Sequence, residues 1–475
     1  MPDPRAAERP VGSGDGHSGE TARRAPIDRT RLASLIGREA ETYAATHPRS
    51  RDAFRTSGQN LLGGVPMTWM RMWAGGFPLY LAGAHGAQLS DIDGNSFIDF
   101  CLGDTGAMAG HSPLAVQTAV ARRYADLGGA TTMLPTEDAA WVGAELARRF
   151  GPTHWSFTLT ATDANRWAIR LARQLTARSK ILVFSYCYHG SVDESFIVAT
   201  PDGSRSRAGN VGAPVDPRET TRVVEFNDAA ALERELAHGD VAAVLMEPAL
   251  TNIGIVLPLP GYLDQVRELT RRHGTLLIND ETHTFSAGPG GCTRAWDLKP
   301  DMVTIGKSIA GGIPAGAYGL SAGLAEAIMS DADADIVDTG GVGGTLAGNA
   351  LSVAAMRATL EKVLTDAAFV TMIGLADRYT AGVQGVLDSR GLPWNIVQLG
   401  ARAEYRFCPS PPRTGGESDA AADPQLDEYL HLYLANRGVL LTPFHNMALM
   451  SPATVAADVD THTQLFAAAA DELVK

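Results

Sequence analysis

Near-continuous apolar runs of four to six residues occur at 180–184, 241–246, 275–279 and 302–305, and stretches with helical spacing separate them. A strand buried on both faces shows no polar side, so such runs predict a mostly parallel sheet covered by helices. Upstream, residues 29–59 carry a moderately amphipathic helical pattern, which Gly63-Gly64-Val65-Pro66 breaks. Two short alternating runs flank Asp93-Gly94, the composition of a tight hairpin turn. Beyond Gly348 the chain turns Ala-rich and helical, then gives weaker strand patterns at 394–398, 404–408 and 438–442 and a closing helix at 463–474. The Pro/Gly/Asp-rich stretch 410–424 reads as a mobile loop. The expected organisation is a tail over 1–30 and an N-terminal segment over 31–90 that joins the small domain. A large α/β domain over 91–346 and a smaller α+β domain over 347–475 follow. No internal repeat is present.

A length of 475 residues calls for two or three lobes. The first thirty residues are rich in Arg, Gly, Pro and Glu without an apolar core, so they read as a disordered tail and not a signal peptide. No apolar run reaches about 18 residues, which argues against a membrane span, and a cytoplasmic location is expected. The net charge of −13 argues against nucleic acid as partner. Cys101, Cys187, Cys292 and Cys408 are scattered without metal spacing, so no metal site is expected and they read as reduced packing residues. No Gly-x-Gly-x-x-Gly follows the early strands, which weakens a nicotinamide-binding reading.

Two of the apolar runs end in charge. One leads into Asp280-Glu281, and the other into Gly306-Lys307 with Gly311-Gly312-Ile313-Pro314 beyond. In an open α/β sheet the carboxyl ends of the strands line the ligand crevice, so the acid and the amine could face one site. A lysine after a strand is otherwise a solvated surface group. The glycines around Lys307 shift that balance, because they let a bulky group approach the backbone. An amine able to form a Schiff base, with an acid able to pair with a pyridinium nitrogen, is what pyridoxal phosphate chemistry needs. Thr160-Ala161-Thr162-Asp163 closes one apolar run and opens a helix over 164–175, where free N–H groups and hydroxyls could hold phosphate. An ordinary helix cap would look the same. The run 340–349 is a second hydroxyl-bearing, glycine-rich candidate, and Tyr188-His189-Gly190 could stack on a ring.

Taken in order, Asp91-Ile92-Asp93-Gly94-Asn95, Gly110-His111, Leu134-Pro135-Thr136-Glu137, Tyr188-His189-Gly190, Glu247-Pro248, Asp280-Glu281, Gly306-Lys307 and Gly344-Thr345 carry a resemblance. The chain resembles the class III aminotransferases of fold type I, in the branch near glutamate-1-semialdehyde aminomutase and the amine transaminases. The resemblance covers roughly residues 35 to 475. It implies a large domain with a mostly parallel seven-stranded sheet, a smaller α+β domain, and a homodimer with shared active sites. It implies pyridoxal 5'-phosphate, cycling through pyridoxamine 5'-phosphate, with Lys307 and Asp280 as the catalytic pair. Lys307 would form the internal aldimine and Asp280 would pair with the ring nitrogen. Tyr188 would stack on the ring, Ala161 and Thr162 would bind phosphate, and Thr345 would do so from the partner subunit. His189, Glu247 and Thr282 complete the expected cofactor contacts. Where relatives have Ser-Gly-Thr-Glu-Ala and Asp-Glu-Val, this chain has Thr160-Ala161-Thr162-Asp163-Ala164 and Asp280-Glu281-Thr282. Neither change removes a reacting group.

For the substrate pocket the sequence offers Met67, Trp69 and Arg71 after the Gly-Gly turn, Arg402 in the C-terminal lobe, and 443–446 as another wall. Met and Trp suit apolar or aromatic groups. Arg71, Arg402 or Arg406 could bind a carboxylate, although a solvated arginine is the more ordinary expectation for each. The leading expectation is a transaminase that moves an amino group from an amine or amino acid with a hydrophobic group to an oxo acid such as pyruvate. The alternative is an aminomutase or racemase using the same parts.

Overall fold

A computed structural model describes residues 27–330 and 344–475. The N-terminal helical pattern forms as two helices, Arg29–Thr46 and Pro48–Ser57. Pro48 cannot donate to the preceding turn, so the first helix ends at Thr46 and the proline opens the second. A three-strand meander follows: β1 (Leu81–His85), β2 (Gln88–Asp91) and β3 (Ser96–Asp99). β2 and β3 pair antiparallel around the turn that holds Asp93-Gly94.

The large sheet takes β4 (His154–Thr158) and β5 (Lys180–Phe184). After a separate hairpin of β6 (Ile197–Thr200) and β7 (Gly203–Ser206), it adds β8 (Thr221–Val224), β9 (Val241–Met246), β10 (Leu276–Asp280), β11 (Met302–Ile305) and β12 (Gly316–Leu320). Its spatial order is β4-β12-β11-β10-β9-β5-β8. β5 pairs parallel with β8 and β9, and β10 pairs parallel with β9 and β11. β12 alone runs against both its neighbours, so the sheet is mostly parallel as expected. Residues Val241–Met246 are buried throughout, which explains their unbroken apolar pattern.

In the C-terminal lobe β13 (Asn395–Leu399), β14 (Arg402–Arg406) and β16 (Met447–Leu449) form one antiparallel sheet. β15 (Val439–Leu440) instead pairs parallel with β3, tying the N-terminal meander to this end of the chain. The stretch expected as a mobile loop carries the helix Gly415–Ala420. Thr414 caps it by accepting from Glu417 N, and Glu417 reaches back to Arg413 N. That Thr-x-x-Glu spacing is the sequence sign of a capped helix, outweighed on reading by the surrounding Pro and Gly. The closing helix spans Ala456–Val474, starting earlier than its pattern suggests because Asp458 accepts from Val455 N at 3.0 Å. The four cysteines are free, three of them buried. No helix among the described residues is long and apolar enough to cross a membrane.

Candidate active site

The ends of the parallel strands meet on one edge of the large sheet. β10 ends at Asp280, β11 leads through Gly306 into Lys307, β4 leads into Thr160, and β5 leads into Tyr188 and His189. Together these segments line a cavity of about 440 Å³, with Trp69, Ala161, Thr162, Thr282, His283, Pro314 and the turn 103–107 in its wall. A crevice at the carboxyl edge is where an open α/β sheet places its ligands.

Asp280 is 2% exposed and lines the cavity. Its Oδ2 accepts from Asn165 Nδ2 at 2.8 Å and lies 2.9 Å from His189 Nδ1, while its Oδ1 accepts from Thr282 N at 3.0 Å. Asn165 is itself oriented by Thr304, whose hydroxyl donates to Asn165 Oδ1 at 2.6 Å, and it donates to His189 O. Burial works to raise Asp280, but the hydrogen bonds and charge of His189, with Thr282 and Asn165, outweigh it and hold the carboxyl below its ordinary value. Burial opposes a charged His189, and the Cys187 sulfur and Asp280 carboxylate override it, raising the ring well above its usual value. The carboxylate is thus kept ionised in a dry place.

Lys307 occupies the left-handed region at φ +53°, and so do Asp104 at +48° and Thr105 at +79°. Such conformations cost about 1–3 kcal/mol each and cluster at functional sites. Lys307 Nζ donates to Asp104 Oδ2 at 2.7 Å and lies 2.8 Å from His283 Nε2. His283 Nδ1 lies 3.0 Å from Thr105 Oγ1 and 3.1 Å from Arg402 Nη2, and Arg402 also donates to the Thr105 hydroxyl. Burial, with the Lys307 and Arg402 cations, pushes His283 well below its usual value, so the ring is neutral. Against burial, Lys307, His283, His445 and Arg402 hold Asp104 far below the ordinary carboxylate range.

The phosphate candidate is the start of the helix Ala161–Thr176. The hydroxyl of Thr160 takes Asp163 N, and Ala161 and Thr162, in the first turn of the helix, line the cavity. Thr162 Oγ1 accepts from Ser191 N at 3.2 Å. Gly306 lets strand and helix close up: a Cβ there would stand 2.8 Å from Ala161 N and 2.9 Å from Ala161 Cβ. Thr282 Oγ1 is buried in the cavity wall near Asp280, whose carboxyl it helps to lower, but without a hydrogen bond of ordinary geometry among the described residues. An amine, a buried ionised carboxylate, a helix N-terminus and a buried hydroxyl around one cavity fit a phosphorylated pyridine aldehyde.

The remaining sequence candidates sit elsewhere. Glu247 is buried behind the cavity, where Oε1 accepts from Tyr188 N at 3.1 Å and Oε2 from Thr251, so it fixes the Tyr188 backbone. Burial raises its carboxyl. Thr345 is exposed and off this chain's cavity, and residues 340–343 of its loop lie outside the described residues. Met67 and Arg71 do not line the cavity; the Met67 sulfur accepts from Trp69 N, and Arg71 folds against Gly63. The Trp69 ring stands 5.2 Å from both Tyr188 and Phe444, closing one wall. Arg402 and Arg406 depart from the solvated expectation, being 1% and 7% exposed. β14 is buried along its whole length, with Arg402 donating to the Thr105 hydroxyl and Arg406 to Ser418 O. Asp104, Thr105, Asn165 and His283 were not among the sequence candidates. The Gly-Asp-Thr-Gly stretch and the histidine two residues after Glu281 are the signals for three of them, and Asn165 has none beyond its place just after the phosphate candidate.

A Schiff-base-competent lysine and an ionised acid at the carboxyl edge of a seven-stranded sheet define a cofactor-dependent enzyme class. The class III aminotransferase family model matches residues 70–465, and the chain belongs to that family. Among individual relatives, glutamate-1-semialdehyde 2,1-aminomutase of Rhodopirellula baltica is 35% identical over 382 residues, covering 77% of this chain and 83% of that protein. The crystal structure of a glutamate-1-semialdehyde-aminomutase from Pseudomonas aeruginosa PAO1 matches with a TM-score of 0.91 and 50% identity, over 94% of this chain and 99% of that one. A lysine-to-alanine form of that enzyme was crystallised with PMP. An omega-transaminase from Sphaerobacter thermophilus matches with a TM-score of 0.81 and 28% identity, over 89% of this chain and 97% of that one.

Proposed function

We propose that this chain is a pyridoxal 5'-phosphate enzyme that relocates an amino group within one substrate molecule, an aminomutase acting on a glutamate-1-semialdehyde-type substrate. What supports this reading is the 50% identity to the Pseudomonas aeruginosa aminomutase over 94% of the chain, against 28% to the omega-transaminase. The relatives therefore favour the alternative in the sequence reading over intermolecular transfer to an oxo acid.

Pyridoxal phosphate supplies a carbonyl that condenses with amines and a ring that draws the electron pair from Cα. Lys307 is the amine that condenses and, once released, the base that lifts the Cα proton and returns it. Asp280 would pair with the ring nitrogen, and its ionised state is maintained by His189 and Asn165. Ala161 and Thr162 would hold the phosphate, joined in a homodimer by Thr345 of the partner subunit. Tyr188, anchored by Glu247, would cover one ring face, and Thr282 would offer its hydroxyl to the cofactor. The reading includes a cytoplasmic location.

The test gives the pyridoxamine-loaded protein glutamate-1-semialdehyde and no oxo acid. Formation of 5-amino-4-oxopentanoate with unchanged cofactor content is expected. Alanine and 4,5-dioxopentanoate formed when pyruvate is supplied, without 5-amino-4-oxopentanoate, would replace this reading with transamination. That second reading has its own support in the aromatic wall of Trp69, Tyr188 and Phe444, which suits a hydrophobic amine donor.

A further inference from the structure

Among the described residues Lys307 has two polar neighbours within 3 Å, Asp104 and His283, and neither is among the groups assigned above to hold the cofactor. His283 is held from behind by the Thr105 hydroxyl at its Nδ1, so its Nε2 is aimed at the lysine nitrogen and not free to turn away. From these contacts we infer that His283 is a proton carrier for Lys307, moving protons between Nζ and the carbonyl oxygen whenever the lysine forms or hydrolyses a Schiff base. Asp104 is the fixed counter-ion for that traffic. The inference rests on the Schiff-base role given to Lys307 above.

Nε2 first takes the ammonium proton from Nζ and passes it to water. Neutral Nζ then attacks the carbonyl carbon, an N–C bond forms, and the carbonyl pair moves to oxygen. Nε2 takes the first N–H proton and delivers it to that oxygen. It then carries the second, the C–O bond breaks, and the oxygen leaves as water with both protons. The reverse sequence hydrolyses the bond. For Nε2 to accept, the resting ring carries its hydrogen on Nδ1, which donates to Thr105 Oγ1; Arg402 Nη2, 3.1 Å from the same nitrogen, then gives its hydrogen to the Thr105 oxygen and not to the ring.

The charges facing the ring suit a transient carrier. Lys307 and Arg402 disfavour the imidazolium, whereas Asp104 and Asp280 favour it. Asp104 Oδ1 stands 4.0 Å from His283 Nδ1 while its Oδ2 holds Lys307, so one carboxylate neutralises the proton at either station. A ring that is neutral at rest and has a counter-ion at hand releases the proton it takes up. His445, the other histidine acting on Asp104, bonds to Glu404 and not to the lysine.

The experiment uses the full chain freed of cofactor and mixed with pyridoxal phosphate. Borohydride traps the adduct at timed intervals, and peptide mass spectrometry locates it. In His283→Gln, which keeps a polar group near Nζ but carries no proton, trapping on Lys307 is expected to slow by at least about tenfold with the final yield unchanged, since a positioned acid–base group contributes about 10²–10⁴-fold. In His283→Gly, added imidazole is expected to restore the rate. Wild-type speed in His283→Gln, or failure of imidazole to rescue folded His283→Gly, would overturn the relay. Acetaldehyde as a second probe needs only Lys307 and its neighbours. If wild type traps acetaldehyde but never pyridoxal phosphate, the cofactor reading fails, and the relay is judged on the acetaldehyde rates of the same variants.

Discussion

Replacing Asp280 by Asn tests whether the floor of the site is an ion pair. The new amide matches the old carboxylate in shape, and its oxygen can still accept from Thr282 N. At the position of Oδ2, however, an NH₂ group would face Asn165 Nδ2 at 2.8 Å and His189 Nδ1 at 2.9 Å, donor against donor. Asn165 cannot turn over without giving up its bond to His189 O and the one it accepts from Thr304. Two hydrogen bonds to a charged acceptor are lost, each contributing about 1.5–3 kcal/mol. His189 relieves part of this by losing its proton, and a net loss of about 2–4 kcal/mol remains. At about 2 °C per kcal/mol, the low end suited to a long chain, Tm should fall by roughly 4–8 °C.

The pH dependence carries its own sign. Asp280 is depressed in the folded chain, so its contribution is present above about pH 3.9 and fades as pH falls through the folded value. His189 is raised, so its contribution is full below about pH 6.5 and fades as pH rises through the folded value. The gap between wild type and Asp280→Asn should therefore be widest between those limits. Calorimetry of the cofactor-free proteins from pH 4 to 9 measures it. Equal Tm values at pH 5–6 would show that no buried ion pair exists, and the argument for an ionised Asp280 would fall with it.

Gly306→Ala puts a methyl group against Ala161, and overpacking of this kind costs about 1–3 kcal/mol; urea unfolding should show the loss together with weaker pyridoxal phosphate retention. Asp427 is pushed up to about 6 by burial, so its carboxylate works against folding as pH rises from about 4 to 6. Asp427→Asn keeps an acceptor for Asn446 and should gain about 1 kcal/mol at pH 7, discounted for partial exposure, while flattening that slope in urea titrations. Trp69→Ala removes a wall shared with Tyr188 and Phe444, and steady-state assays should show a raised KM for the substrate with kcat changed less.

The sequence by itself determined four of the seven strands of the large sheet, β5, β9, β10 and β11, because a segment buried on both faces must be apolar along its whole length, and Val241–Met246 and Met302–Ile305 are. It also determined Lys307 and Asp280 as a pair to consider, since charge at the end of such a run is a local signal. Local signals misled where two competed, as at Thr414–Glu417, where Pro and Gly nearby hid a capped helix. Only the tertiary structure decided what surrounds the lysine. Asp104 follows β3, Asn165 lies on the helix after β4, His283 follows β10, and Arg402 comes from β14 of the other lobe. No spacing along the chain relates residues 104, 165, 283 and 402; the sheet order does, by bringing strand ends to one edge. Arg402 shows the limit most plainly, because an arginine is ordinarily solvated, and its burial goes with a bond to Thr105, 297 residues away, that no local pattern announces.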